Sequence, residues 1–301
     1  MTVKRALDRH SLPYLAGWAI RRSARLLTAR RRRLPDFVII GGQRCGTTSL
    51  YNYLVQHPAV SPAFMKETHF FDTHYHRGIN WYRAFFPLEG ETVPAPAPSA
   101  TAGQRPLTGE SSPYYLFYPH APGRLLRTIP EARLIALLRN PVERAYSHYH
   151  HEVKMGIETL SFEDALDREE RELPGEVGKV LQDESYRSFF YQNFTYLSRG
   201  IYVEQLQRWT NLFDTKQLLV LCSEDFYRDP AATLEQVHKF LGLSPWQLSA
   251  YKKYNLARYA PMEASTRERL IAYFEGHNQK LYEFLRRDLG WKYGIYPSAE
   301  R

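Results

Sequence analysis

The chain has 301 residues, 44% of them hydrophobic and 24% charged, which excludes a disordered polypeptide and is enough for one large α/β domain with a real core. The net charge is +8, yet residues 1–33 hold ten Lys/Arg against one acid, Asp8, while the remainder is nearly balanced at thirty bases and thirty-one acids. The charge therefore marks an N-terminal arm, residues 1–33, and excludes the basic folded face that a nucleic-acid-binding domain requires.

The arm reads in two ways: a peripheral contact with anionic membrane, or a solvated, partly helical tail. Its apolar stretch Leu12 to Ile20 is too short to span a bilayer, and no clear small-residue cleavage site accompanies it. The two cysteines, Cys45 and Cys222, exclude a disulfide framework and fit a reducing, cytoplasmic setting.

Residues 34–301 read as a single domain. Phe37-Val38-Ile39-Ile40 is a continuous apolar run, the signature of a strand buried on both faces. Gly41 and Gly42 end it, and Leu50, Tyr53, Leu54 and His57 then recur at helical spacing up to Pro58. Residues 89–108 are rich in Pro, Ala and small polar residues and read as an exposed, mobile insertion. Gly109 to Tyr115 reads as a loop. Leu134 to Leu138 is a second buried strand, stopped by Arg139-Asn140-Pro141, with Pro141 suited to the first turn of a helix. Ser161 and Asp164 form a box-like N-cap for a helix to about Arg171. Residues 172–198 show no clean period, and 155–198 is the segment expected on the acceptor side. Tyr186, Phe189, Phe190, Tyr191, Phe194 and Tyr196 cluster there, suited to stacking on an acceptor and equally to packing. Tyr202, Leu206, Trp209 and Phe213 mark a helix, Gln217 to Cys222 a third strand, Asp229-Pro230 a capped helix ended by Gly242, and Ser265 to Leu285 a last helix. Strands alternating with helices predict an α/β fold: a P-loop-like three-layer sandwich with a central, mainly parallel sheet.

The chemistry concentrates in Gly41-Gly42-Gln43-Arg44-Cys45-Gly46-Thr47-Thr48-Ser49. A buried strand delivers the chain to a turn that opens a helix, so successive N–H groups and the helix dipole meet an anion there. Arg44 adds a permanent charge with a planar donor fork, and Thr47, Thr48 and Ser49 add hydroxyls. A nucleotide-triphosphatase loop demands Gly-Lys-Ser/Thr, but Thr47 follows Gly46, which argues against the alternative of a P-loop kinase or NTPase. A non-catalytic nucleotide-binding adaptor is a further alternative. The histidine groups His74/His76 and His148/His150/His151 invite a metal reading, but without nearby cysteines or an HExxH pattern no metal is expected.

Five ordered segments resemble the superfamily of sulfotransferases that use 3′-phosphoadenosine-5′-phosphosulfate (PAPS), in its bacterial and glycan-type branch that includes the heparan sulfate O-sulfotransferases. They are Gly41 to Leu50; Lys66-Glu67-Thr68-His69-Phe70-Phe71-Asp72 with Gly78 to Tyr82; Glu110 to Tyr115; Leu137 to Tyr149; and Arg199 to Tyr202. The resemblance implies PAPS as sulfuryl donor, 3′,5′-adenosine bisphosphate as product, no metal, and a carbohydrate, glycolipid or small-molecule acceptor. It implies that Gln43, Arg44, Cys45, Gly46, Thr47, Thr48 and Ser49 hold the 5′-phosphosulfate and that Arg139 and Ser147 hold the 3′-phosphate. Glu67 is implied as general base, with His69 as second choice or orienting group. Arg44, supplemented by Lys66, would stabilise charge on the leaving oxygen. Three departures stand out: arginine at 44 where many relatives have lysine, Ser111 where glycan enzymes often have lysine, and no glycine-rich C-terminal loop, whose place Arg258 is expected to fill.

Overall fold

In the computed structural model, residues 12–92, 105–252 and 259–291 are described, with the side chains of 12–16 left aside. Five strands, β1 (Phe37–Gly41), β2 (Val60–Pro62), β3 (Leu107–Ser111), β4 (Arg133–Leu138) and β5 (Leu218–Cys222), form one sheet in the order β2-β3-β1-β4-β5. Every pairing is parallel. The helices are α1 (Leu12–Leu27), α2 (Thr47–Leu54), α3 (Ile79–Arg83), α4 (Ala121–Thr128), α5 (Pro141–Lys154), α6 (Phe162–Gln182), α7 (Phe189–Asn193), α8 (Tyr202–Thr210), α9 (Ser223–Arg228), α10 (Pro230–Leu241) and α11 (Ala264–Leu285). The sheet is flanked by helices, as the alternation of strand and helix predicts.

The period of two explains why β1 and β4 read as unbroken apolar runs. Val38 and Ile40 join Leu134, Ala136 and Leu138 in one cluster, beneath Phe70, Phe71, Tyr82, Tyr115 and Trp209. Phe37 and Ile39 join Ile135 and Leu137 in a second, beneath Leu50, Leu54, Phe226 and Val237 of the opposite layer. Both faces are dry, and each fully buried Ile or Leu there contributes about 1.5–3 kcal/mol.

The strand order has a functional consequence. Strands β3 and β2 lie on one side of β1, and β4 and β5 on the other. The connection reverses direction at β1, which opens a crevice outside the carboxyl ends of β1 and β4, where open α/β sheets take ligands.

Several expectations need correction. The segment after Gly109 is no plain loop, because Leu107–Ser111 is a strand. That strand also takes the last two residues of the expected 89–108 insertion, whose residues 93–104 lie outside the described ones. The helix from Ser161 runs to Gln182, through Pro174. A Cβ at Gly175 or Gly178 would meet open space, so these residues signal breaks in sequence while sitting on a helix that carries them at its surface. His57 lies beyond α2, whose last residue is Leu54.

The arm is no solvated tail over its described part. Its arginines act as staples to main-chain oxygens: Arg22 Nη2 donates to Trp81 O at 2.9 Å, Arg25 Nη2 and Arg32 Nη1 to Phe86 O at 2.7 and 2.9 Å, and Arg33 Nη1 to Pro106 O at 2.6 Å. Burial and the neighbouring Arg25 hold the Arg22 guanidinium down at about 10.

Candidate active site

The turn after β1 is shaped for close approach of an anion. Arg44 and Gly46 both have positive φ, 67° and 94°, so the chain alternates handedness through the turn, the backbone pattern of an anion-binding concavity. Gly46 is required twice over, because a Cβ there would also come 2.8 Å from the Tyr227 hydroxyl. Thr47, Thr48 and Ser49 form the first turn of α2, whose amides have no partner within the helix.

The second element is the end of β4. Asn140 caps α5 by accepting from Val142 N at 3.0 Å, which fixes the path that carries Arg139 and Ser147. Arg44 Nε donates to Ser147 Oγ at 3.2 Å, and Arg139 Nη1 donates to Arg44 O at 3.4 Å. Arg44, Arg139 and Ser147 therefore meet at one place, from segments 103 residues apart at the extremes. Among the described residues neither Arg44 nor Arg139 pairs with a carboxylate. Two guanidinium groups brought together without a counter-charge make a site of positive potential that favours an anion.

The other predicted binding residues fall as follows. Gln43 accepts from Arg199 Nη1. Cys45 contributes main chain, its amide donating to Gly42 O at 3.2 Å, while its thiol is fully buried near the Tyr202 hydroxyl. Burial pushes that thiol up to about 11, so it stays protonated. Thr47 and Ser49 are buried at the start of α2. Arg258 lies outside the described residues.

Lys66 joins this turn to the next motif. Its ammonium donates to Thr48 Oγ1 at 3.0 Å and to Glu67 Oε1 at 2.5 Å. On the far side, His69 Nε2 lies 3.6 Å from Glu67 Oε2, and His69 Nδ1 lies 2.8 Å from Asp72 Oδ2. The order in space is Thr48, Lys66, Glu67, His69, Asp72. Burial works to raise the Glu67 carboxyl, but His69 and Lys66 outweigh it and hold it down at about 2. Burial works to lower the His69 imidazole, but Asp72 and Glu67 outweigh it and lift it to about 10. The row alternates basic and acidic side chains, Lys66, Glu67, His69 and Asp72, each beside one of opposite kind.

Sequence reasoning missed what holds this row. Glu110 is completely buried at the end of β3. Its carboxylate accepts from the Thr68 amide and hydroxyl at 3.3 and 2.8 Å, the Tyr82 hydroxyl at 2.8 Å, Ser112 Oγ at 2.6 Å and the Tyr115 hydroxyl at 3.1 Å. Burial pushes its pKa up, against the pull of Ser112, Thr68 and Tyr82. Ser111 N donates to Lys66 O at 3.0 Å and His69 N to Ser112 Oγ at 3.2 Å, so the 66–69 segment is pinned on both sides of Glu67. The one available sequence signal was a glutamate directly before two serines. The role of Asp72 was legible from its spacing, three residues beyond His69 on the same local turn.

A cleft beside Asp72 is lined by Tyr114, Tyr118, Tyr186, Arg187 and Tyr191. Of the aromatics expected on the acceptor side, Tyr186 and Tyr191 line this cleft, Tyr191 stacking on Phe117 at 4.7 Å, whereas Tyr196 is fully buried and serves packing.

A parallel sheet whose central strand opens into a cationic, amide-lined turn at its switch point defines a P-loop-like α/β protein. Residues 34–293 match the family model for the sulfotransferase domain, and the chain belongs to that family. It is 29% identical to the membrane-associated sulfotransferase kil1 of Dictyostelium discoideum, over 86% of this chain and 67% of that protein. It is 30% identical to the human bifunctional heparan sulfate N-deacetylase/N-sulfotransferase 3, over 84% of this chain but only 30% of that protein. The crystal structure of a sulfotransferase from Alicyclobacillus acidocaldarius superposes with a TM-score of 0.66 at 30% identity, covering 86% of this chain and 99% of that one. The chain is accordingly an enzyme of sulfuryl transfer. No helix among the described residues is long and apolar enough to cross a membrane.

Proposed function

We propose that the protein moves a sulfuryl group from PAPS to a hydroxyl or amine of a carbohydrate, glycolipid or small-molecule acceptor, with Glu67 as general base. The observation that carries this reading is the convergence of Arg44, Arg139 and Ser147 at adjacent strand ends, two cations with no carboxylate partner among the described residues and a hydroxyl. That donor set fits a nucleotide with anionic groups at both 5′ and 3′ positions, and the turn amides with Gln43, Thr47, Thr48 and Ser49 fit the 5′ side. The donor supplies an activated sulfuryl group; the protein supplies alignment and charge.

Glu67 is held ionised, ready to accept a proton from the acceptor. A carboxylate with so low a pKa is a weak base, but the acceptor oxygen becomes strongly acidic as its bond to sulfur forms, so a weak base suffices late in the step. Lys66, between Thr48 and Glu67, is positioned to follow charge from the base toward the leaving oxygen. Arg44 stabilises charge there without giving up a proton. The Asp72–His69 pair orients Glu67. The relative named for heparan sulfate supports a carbohydrate acceptor. The two buried free cysteines suit a reducing, cytoplasmic setting.

Titration calorimetry with 3′,5′-adenosine bisphosphate and with ATP tests the reading. The bisphosphate is expected to bind more tightly, and Arg139→Ala to weaken it by roughly 10- to 100-fold through loss of charged hydrogen bonds while leaving ATP little changed. Equal affinity for the two nucleotides would sink the assignment of the donor.

A further inference from the structure

Over its described side chains, from residue 17 on, helix α1 is built inside out. On a surface helix the apolar stripe normally faces the core and the charged residues face water. Here Arg22 and Arg25 point inward, where they donate to the carbonyls of Trp81, Ala84 and Phe86 and lie over the rings of Phe85 and Phe64. Ile20 and Leu27, seven residues apart and hence on one side of the helix, are 70% and 89% exposed, with Ala24 and Ser23 between them. The uncovered face is flanked by exposed Arg21, Arg30 and Arg31. No acidic residue occurs from 12 to 33, and the segment before the helix brings Lys4, Arg5 and Arg9 against Asp8 alone.

We propose that this face of α1 lies on an anionic lipid surface. The two requirements of an interfacial helix are met separately: Ile20 and Leu27 enter the acyl boundary, and the flanking arginines meet the headgroup charge. Sixteen residues at 1.5 Å each lie along the surface and do not cross it. Nucleic acid offers the arginines their charge but the apolar face nothing. The inference does not depend on the identity of the sulfuryl donor, because no residue of α1 belongs to the site described above.

Sedimentation with vesicles tests it, using phosphatidylcholine alone and equal parts phosphatidylcholine and phosphatidylglycerol. The protein is expected to pellet with the second and not the first, and to be released as salt is raised. Arg30→Gln with Arg31→Gln should weaken vesicle binding about thirtyfold, the equivalent of about 1 kcal/mol per charge. Ile20→Glu with Leu27→Glu should weaken it at least about tenfold. Because both positions face outward, that variant is expected to keep the melting temperature and the calorimetric nucleotide affinity of the parent, which separates loss of docking from loss of fold. Three results would overturn the proposal: no binding to the anionic vesicles, binding unchanged in the Ile20/Leu27 variant, or a dimer in solution that this variant abolishes, which would make the face a contact between two copies of the chain.

Discussion

The two halves of the site are built on opposite electrostatic plans. On the side proposed for the nucleotide, Arg44 and Arg139 converge from β1 and β4 with no carboxylate partner among the described residues. On the side proposed for the base, every charge has an opposite neighbour: Lys66 with Glu67, and His69 between Glu67 and Asp72. The first arrangement leaves positive potential uncancelled and needs a ligand to complete it. The second is complete in itself and needs only geometry. The nucleotide side is thus expected to respond to substitution in binding, and the base side in turnover.

The largest effect should come from Glu67→Gln. The amide keeps the shape but cannot take a proton, so kcat is expected to fall by about 10²–10⁴, measured as transfer of labelled sulfuryl to the best acceptor from a panel of glycolipids and carbohydrates. Calorimetric affinity for 3′,5′-adenosine bisphosphate should change little. A variant that lost nucleotide affinity in step with kcat would break the division between the two halves.

Glu110→Gln should come next, and it tests whether the base side depends on a support that never touches substrate. The carboxylate faces donors from Thr68, Ser112, Tyr82 and Tyr115. An amide there turns one acceptor into a donor and leaves buried hydroxyls unmatched, at about 1–3 kcal/mol of stability. Thermal unfolding is expected to shift down accordingly, and kcat to fall as the 66–69 segment loosens, with nucleotide affinity retained. Unchanged kcat in a destabilised variant would reduce Glu110 to a core residue.

How far the sequence was legible follows the same division. The nucleotide side lies on strands buried on both faces, and such strands announce themselves as apolar runs, so β1, β4 and their glycine or proline stops could be read directly. The base side hangs from β3, whose Thr108, Gly109, Glu110 and Ser111 carry no apolar signal. These residues are buried because their polar atoms find partners in tertiary structure, and linear sequence does not display those partners. Helix α1 was opaque for a related reason. Arginine reads as a surface residue, and nothing in the chain order shows that Arg22, Arg25 and Arg32 would spend their charge on the carbonyls of residues 81–86, or that Arg33 would reach Pro106 O as well as Asp36. Residues 172–182 were opaque because Pro174 and Gly178 look like terminators while the helix carries both at its surface.

The smallest and most discriminating effect concerns pH. His69 and Lys66 together hold Glu67 down at about 2 against its burial, so Glu67 stays ionised until strongly acid pH. His69→Asn removes one of the two lowering partners, and the Glu67 pKa is expected to rise from that value. The acid limb of kcat/KM should move up with it, so that activity at pH 4 falls while activity at pH 7 is largely kept. Stability has the opposite sign. The His69 pKa is raised to about 10 in the folded protein, above its ordinary value near 6.5. Its contribution is therefore complete below about pH 6.5 and is lost as pH rises through about 10. The difference in melting temperature between parent and His69→Asn should accordingly be greatest in mild acid and should shrink toward pH 10. A difference that stayed constant over that range would mean that His69 acts through packing alone, and the alternating row of charges would then have no electrostatic role.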